Sequence, residues 1–178
     1  MKTRIIAAFL MVVGCCVSST AALAPAGTSL PDIFVSALAE VKAGTSIPVL
    51  LPTELPRPLS DAKHAVVEKI TADEYAVALY YELGAGHAGF AASFSSKKND
   101  RYSPRELPNV RKVKLAGGII GFFRPVSCGG SCAPAKLWWE QGGTLYNVQL
   151  QLPSTRGVTK QQKTITAVAN SAILAGPR

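Results

Sequence analysis

The chain has 178 residues, with 19 Lys and Arg against 11 Asp and Glu and a formal net charge of +8. Hydrophobic residues make up 48% and charged residues 17%, a balance that excludes a disordered chain. No apolar run reaches the roughly 18 residues that mark a membrane span, so the reading is against an integral membrane protein. The length suits one domain with a sizeable core.

The N-terminus reads as an export signal. Lys2 and Arg4 precede an unbroken apolar run from Ile5 to Val13, and small and polar residues lead on to Ala22-Leu23-Ala24. A charged start, a short apolar stretch and an A-x-A site predict a secretory signal peptide over residues 1–24 and a single exported domain over 25–178. Val12-Val13-Gly14-Cys15 resembles a bacterial lipobox, in which the Cys becomes the lipid-bearing first residue. Cysteine arithmetic favours the cut after Ala24, which leaves only Cys128 and Cys132. A cut before Cys15 leaves Cys16 as an odd thiol in an oxidising compartment. The expected location is therefore periplasmic or secreted, with lipid anchoring through Cys15 as the alternative. The shortened chain carries 17 basic against 11 acidic residues, a net +6.

Residues 25–30 read as a linker. From Pro31 to Lys42, Ile33, Phe34, Ala37, Leu38 and Val41 recur at helical spacing, with Gly44 just beyond. The segment Ile47-Pro48-Val49-Leu50-Leu51-Pro52, followed by Pro56 and Pro58, is too rich in proline for a sheet interior. It is expected to be extended, at an edge or over the surface. From Ala65 the period becomes two. Ala65 to Ile70 is a candidate strand, Thr71-Ala72-Asp73 a turn, and Tyr75, Val77, Leu79, Tyr81 and Leu83 share one face of the next strand. Gly84-Ala85-Gly86-His87 breaks the pattern, and Phe90, Ala92 and Phe94 resume it. Polar residues fill 97–109. Two hairpins follow, Val110 to Phe123 through Ala116-Gly117 and Leu137 to Leu152 through Gln141-Gly142-Gly143. A closing helix carries the stripe Ile165, Val168, Ala169, Ala172 and Ile173; Thr159 and Gln162 suggest a capping box, and Gly176-Pro177 a stop. Consecutive strands with helices only at the two ends predict an α+β domain, an antiparallel meander with both helices packed on it.

The most specific local feature is Cys128-Gly129-Gly130-Ser131-Cys132. In an exported chain these cysteines most simply form a small disulfide loop, and the glycines let the backbone turn tightly enough. A redox pair usually has C-x-x-C spacing, and a thiolate metal site needs further ligands nearby. No metal or other cofactor is expected. His87 sits in Gly84-Ala85-Gly86-His87-Ala88-Gly89, which lacks the Lys-Ser or Lys-Thr of a phosphate loop and precedes a strand rather than a helix. An exposed His in a glycine-rich turn is the simpler reading. Glu82 and Glu140 come from predicted strands and would need to approach each other to act as a hydrolytic pair. Scattered acids are more often solvated. No catalytic residue is therefore assigned, and an enzyme is the less favoured reading.

Two features suggest binding. Lys97, Lys98, Arg101, Arg105, Arg111, Lys112 and Lys114 place seven positives within 97–114 against Asp100 and Glu106, which is +5 of the net +6. Such a patch steers an acidic partner or holds an anionic surface, although it also simply solvates a loop. In Trp138-Trp139 adjacent side chains of a strand face opposite ways, so one Trp joins the core while the other faces outward, unless both are covered. An outward Trp beside Tyr146 or Tyr80 would suit a contact surface. Nucleic acid is not expected as a partner of an exported protein, and a membrane only if Cys15 is lipidated. The first reading is a non-enzymatic protein-binding module, such as an inhibitor or an immunity protein neutralising a toxic enzyme. Alternatives are a binder of an envelope polymer or ligand through the basic patch, and an enzyme with an unrecognised site.

Overall fold

Period-two alternation builds one seven-stranded antiparallel sheet in the computed structural model, which describes residues 29–178. The predicted signal peptide, its Ala24 site and Cys15 lie outside the described residues. The strands are β1 (His64–Thr71), β2 (Glu74–Tyr80), β3 (Phe90–Lys98), β4 (Arg111–Lys114), β5 (Ile120–Arg124), β8 (Ala135–Gln141) and β9 (Thr144–Leu150). A separate hairpin is made of β6 (Ser127–Cys128) and β7 (Cys132–Ala133). With α1 (Val35–Gly44) and α2 (Val158–Ala175) at the two ends of the described chain, this is the expected α+β architecture.

The spatial order is β1-β2-β3-β9-β8-β5-β4. Two meanders are thus joined side by side. The first runs β1 to β3; the chain then crosses to the far edge, and β4, β5, β8 and β9 return until β9 pairs with β3. The crossing is made by the polar stretch 99–110. Asn99 and Asn109, at its ends, take left-handed backbone angles (φ 52° and 61°) that asparagine tolerates better than most residues. The β8–β9 hairpin turns through Gly142 and Gly143, both at positive φ, as a two-residue turn of this hand requires.

One face of the sheet carries the core. Tyr75, Val77 and Leu79 from β2, Phe94 from β3, Leu137 and Trp139 from β8, and Tyr146, Val148 and Leu150 from β9 are all buried there. α1 contributes Phe34, just before it, with Ala37 and Val41, and Phe34 meets Phe94 edge-to-face at 5.4 Å. α2 contributes Ile165, Val168, Ala169 and Ala172. Each such large apolar side chain contributes roughly 1.5–3 kcal/mol on burial.

Three local expectations change. The proline-rich segment is extended but not superficial: Ile47, Val49, Leu50 and Leu51 are core residues. Tyrosine hydroxyls on the sheet, rather than a strand ladder, meet its backbone groups. Tyr75 Oη bonds both backbone groups of Leu50, and Tyr146 Oη donates to the Pro48 carbonyl at 2.9 Å. The capping box does not form, because α2 starts two residues earlier, with Gly157 rather than Thr159 at its N-cap and no side-chain cap. Finally, the alternation breaks at the β2–β3 turn. The register passes from Leu79 opposite Ala92 to Tyr80 opposite Phe90, skipping Ala91. This bulge moves Phe90 to the face opposite Ala92 and Phe94, and leaves Leu83 exposed beyond the end of β2.

Candidate functional site

Both helices and the proline-rich segment cover the same face, so the other face of the sheet is open to whatever its own side chains and loops provide. Strand register fixes which residues meet there. One row runs Ala78, Ser93, Gln149, Lys136, Arg124 across β2, β3, β9, β8 and β5. The row beside it runs Ala76, Ser95, Asn147, Trp138, Phe122, Lys112 and continues onto β4.

The crossing stretch 99–110 lies over the β8–β5 half of this face. The Tyr102 ring sits 6.0 Å from that of Trp138, and the Arg105 guanidinium lies 5.0 Å above the Phe122 ring. Arg124 covers Trp138 as well, at 5.9 Å from its centroid. These are cation–π distances. Trp138 is thereby only 5% exposed, and Phe122 is also buried.

The other half of the open face is a groove of about 1170 Å³. Its floor includes Ser93, Lys136, Gln149 and Gln151. A neighbouring hollow shares Lys136 and Gln149 and adds Ser95 and Asn147, so the polar floor is continuous. One wall is aromatic: Tyr80 and Phe90 meet edge-to-face at 6.0 Å, with His87 in the turn above them. That turn is closed at Gly89, whose backbone passes so near the Glu82 carbonyl that a Cβ there has no room. The other wall is the β6–β7 hairpin, where Cys128 and Cys132 are bonded as expected, with Cα atoms 4.0 Å apart in directly paired positions.

Two environments in the groove are electrically distinct. On the aromatic side, the Tyr80 hydroxyl donates a hydrogen bond to the Glu68 carboxylate, and this neighbour pushes the phenol up to about 12. On the hairpin side, half-buried Lys136 has its pKa lowered by desolvation and then by the charge of Arg124 opposite it. Neither cation forms an ion pair among the described residues, where Lys69–Glu74 at 2.8 Å is the one such bridge. The Arg124 Nε is buried with no hydrogen-bond partner among the described residues.

No protein-family model matches the chain. No curated protein and no solved structure matches it either.

The register sorts the seven predicted cations. Lys97, Lys112 and Lys114 pair with Leu145, Phe122 and Ile120 and so project from the open face, where Arg105 also lies. Arg111 is opposite core Phe123, and Lys98 opposite buried Thr144, so both belong to the helix-bearing side. Arg101 is exposed in the crossing stretch. The tryptophans do face opposite ways, yet neither is outward: Trp139 stacks on Tyr146 at 5.5 Å in the core, and Trp138 lies under Tyr102 and Arg124. Glu82 and Glu140 do not meet, since Glu82 follows the Tyr80 end of the sheet while Glu140 lies near Leu145 at the other end. His87 is exposed, as expected of a turn residue. Sequence reasoning missed Ser93, Ser95, Arg124, Lys136 and Gln149. Their signal was the polar half of each strand's alternation, which carries no meaning until strand order makes the residues neighbours.

Proposed function

We propose that the protein is an exported, non-enzymatic binding module that receives an acidic protein partner on the open face of its sheet. The observation that supports this most directly is the placement of charge. Lys97, Arg105, Lys112 and Lys114 lie on that face between β3 and the β4 edge, with Glu74 opposite Lys97, and none is held in an ion pair among the described residues. The crossing stretch is anchored by Tyr102 and Arg105 against buried aromatic rings, so its charges are carried on a positioned scaffold rather than on a free loop. An arrangement of this kind accelerates encounter with an opposite charge. An inhibitor or immunity protein that neutralises a toxic enzyme fits this reading. The bonded Cys128–Cys132 pair suits the periplasmic or extracellular setting that the N-terminal sequence implies.

The test is capture from the native host's exported fraction, followed by kinetics with the recovered partner. A protein partner should saturate at fixed stoichiometry. Reversing Arg105, Lys112 and Lys114 to Glu should slow association by about tenfold or more at low salt, with less effect as ionic strength rises. Association unchanged by the triple reversal would sink the reading. A second reading, binding of an anionic envelope polymer or ligand, draws its own support from the groove around Lys136.

A further inference from the structure

We propose that the groove floor around Lys136 binds an acidic oligosaccharide. Lys136 takes a sugar carboxylate, with the charge of Arg124 beside it on the next strand, while Ser93, Ser95 and Gln149 take the sugar hydroxyls. The inference rests on the second reading above and is independent of a protein partner at the basic edge.

The cation pair is the first ground. Arg124 and Lys136 are directly opposed on β5 and β8, both interior strands of the sheet. Like charges directly opposite each other destabilise a sheet, and here both are half-buried with no ion pair among the described residues. A carboxylate seated on Lys136 in the groove offsets that repulsion and gains a charge-assisted hydrogen bond, with the Arg124 charge adjacent.

The floor is the second ground. The side chains of Ser93, Ser95 and Gln149 enter no hydrogen bond among the described residues, although all three stand on β3 and β9 in the middle of the sheet. Hydroxyls and carboxamides both donate and accept, as sugar hydroxyls do. An extended peptide, by contrast, commonly binds a sheet by adding to the open backbone groups of an edge strand. The floor residues stand on interior strands, paired on both sides, which offer a peptide side chains alone, and the edge strand β1 contributes Val66 and Glu68 to one wall.

Shape is the third. From Val66 on β1 to Lys136 on β8 the groove crosses four inter-strand steps, about 19 Å, which is room for several sugar rings. The rings of Tyr80 and Phe90 on one wall offer apolar surface for the C–H face of a pyranose.

The experiment is calorimetric and amide-resolved NMR titration of the protein with three probes: a galacturonic acid hexamer, neutral maltohexaose and hexaglutamate. The galacturonic acid hexamer should bind, moving the resonances of Ser93, Lys136 and Gln149, and the other two should bind at least about tenfold more weakly. Lys136→Gln should weaken the hexamer by about tenfold while leaving the melting temperature unchanged or higher, since it removes one member of a repulsive pair. Arg124→Gln, measured separately, repeats the reading should Lys136→Gln disturb the fold. The triple reversal at Arg105, Lys112 and Lys114 should change hexamer affinity by no more than about threefold, which separates this site from the protein-binding edge. Equal or tighter binding of hexaglutamate would assign the groove to a peptide. That result, failure of all three probes to bind, or an affinity unmoved by both glutamine variants would each overturn the proposal.

Discussion

The Tyr75 hydroxyl holds both backbone groups of Leu50, accepting from its amide at 3.0 Å and donating toward its carbonyl at 3.4 Å. One side chain thereby replaces the ladder that the proline-rich segment cannot form, and lets four apolar residues of that segment enter the core. Burial raises the phenol pKa of Tyr75 well above its ordinary value.

Tyr75→Phe keeps the ring but leaves a buried amide and carbonyl without their partner. It should cost about 1–3 kcal/mol by chemical denaturation at neutral pH. The sign of the alkaline effect follows from the raised pKa. The folded state keeps the phenol proton that the unfolded chain gives up near pH 10, so stability falls as the pH climbs above 10. The variant should lose part of that decline. An unchanged alkaline slope would show that Tyr75 is not its source.

At the start of α2 the contrast is between two polar residues. Buried Gln161 accepts from the Val126 amide at 2.9 Å and donates to the Arg156 carbonyl at 2.6 Å, tying the helix to the approach of the disulfide hairpin. Gln161→Ala should cost about 1–3 kcal/mol. Thr159→Ala, at an exposed position with no capping bond, should stay within about 0.5 kcal/mol. Thermal melts of the two variants compare them directly.

The Cys128–Cys132 bond closes a very short loop at the groove's rim. A double Cys→Ser variant should fold and lose about 2 kcal/mol on the chain-entropy account. Free thiols detected in the native, unreduced protein would contradict the bond.

Trp138 owes its burial to the crossing stretch rather than to the core. Tyr102→Ala removes the ring 6.0 Å from it and should open that indole to solvent. Acrylamide should then quench roughly half of the tryptophan emission more readily, the half due to Trp139 staying protected. Quenching identical to that of the parent protein would mean that Arg124 alone shields Trp138.

Local periodicity was sufficient for much of the fold. The alternation in Tyr75-Val77-Leu79 and Tyr146-Val148-Leu150, the glycine turn at 142–143 and the stripe Ile165-Val168-Ala169-Ala172 are all consequences of residues near each other in sequence, and each forms as its spacing implies. The Cys128–Cys132 pair is equally local, because only three residues separate its members. The site is different in kind. Ser93, Gln149, Lys136 and Arg124 stand in one row only because β9 returns to pair with β3 and β8 with β5, and strand order is a long-range choice that no local pattern encodes. The same holds for Trp138, whose period-two position faces away from the core but whose burial depends on where the 99–110 crossing travels. Sequence determined which side chains share a face of each strand; tertiary structure alone decided which strands are neighbours, and therefore which charges stand opposed where Lys136 enters the groove.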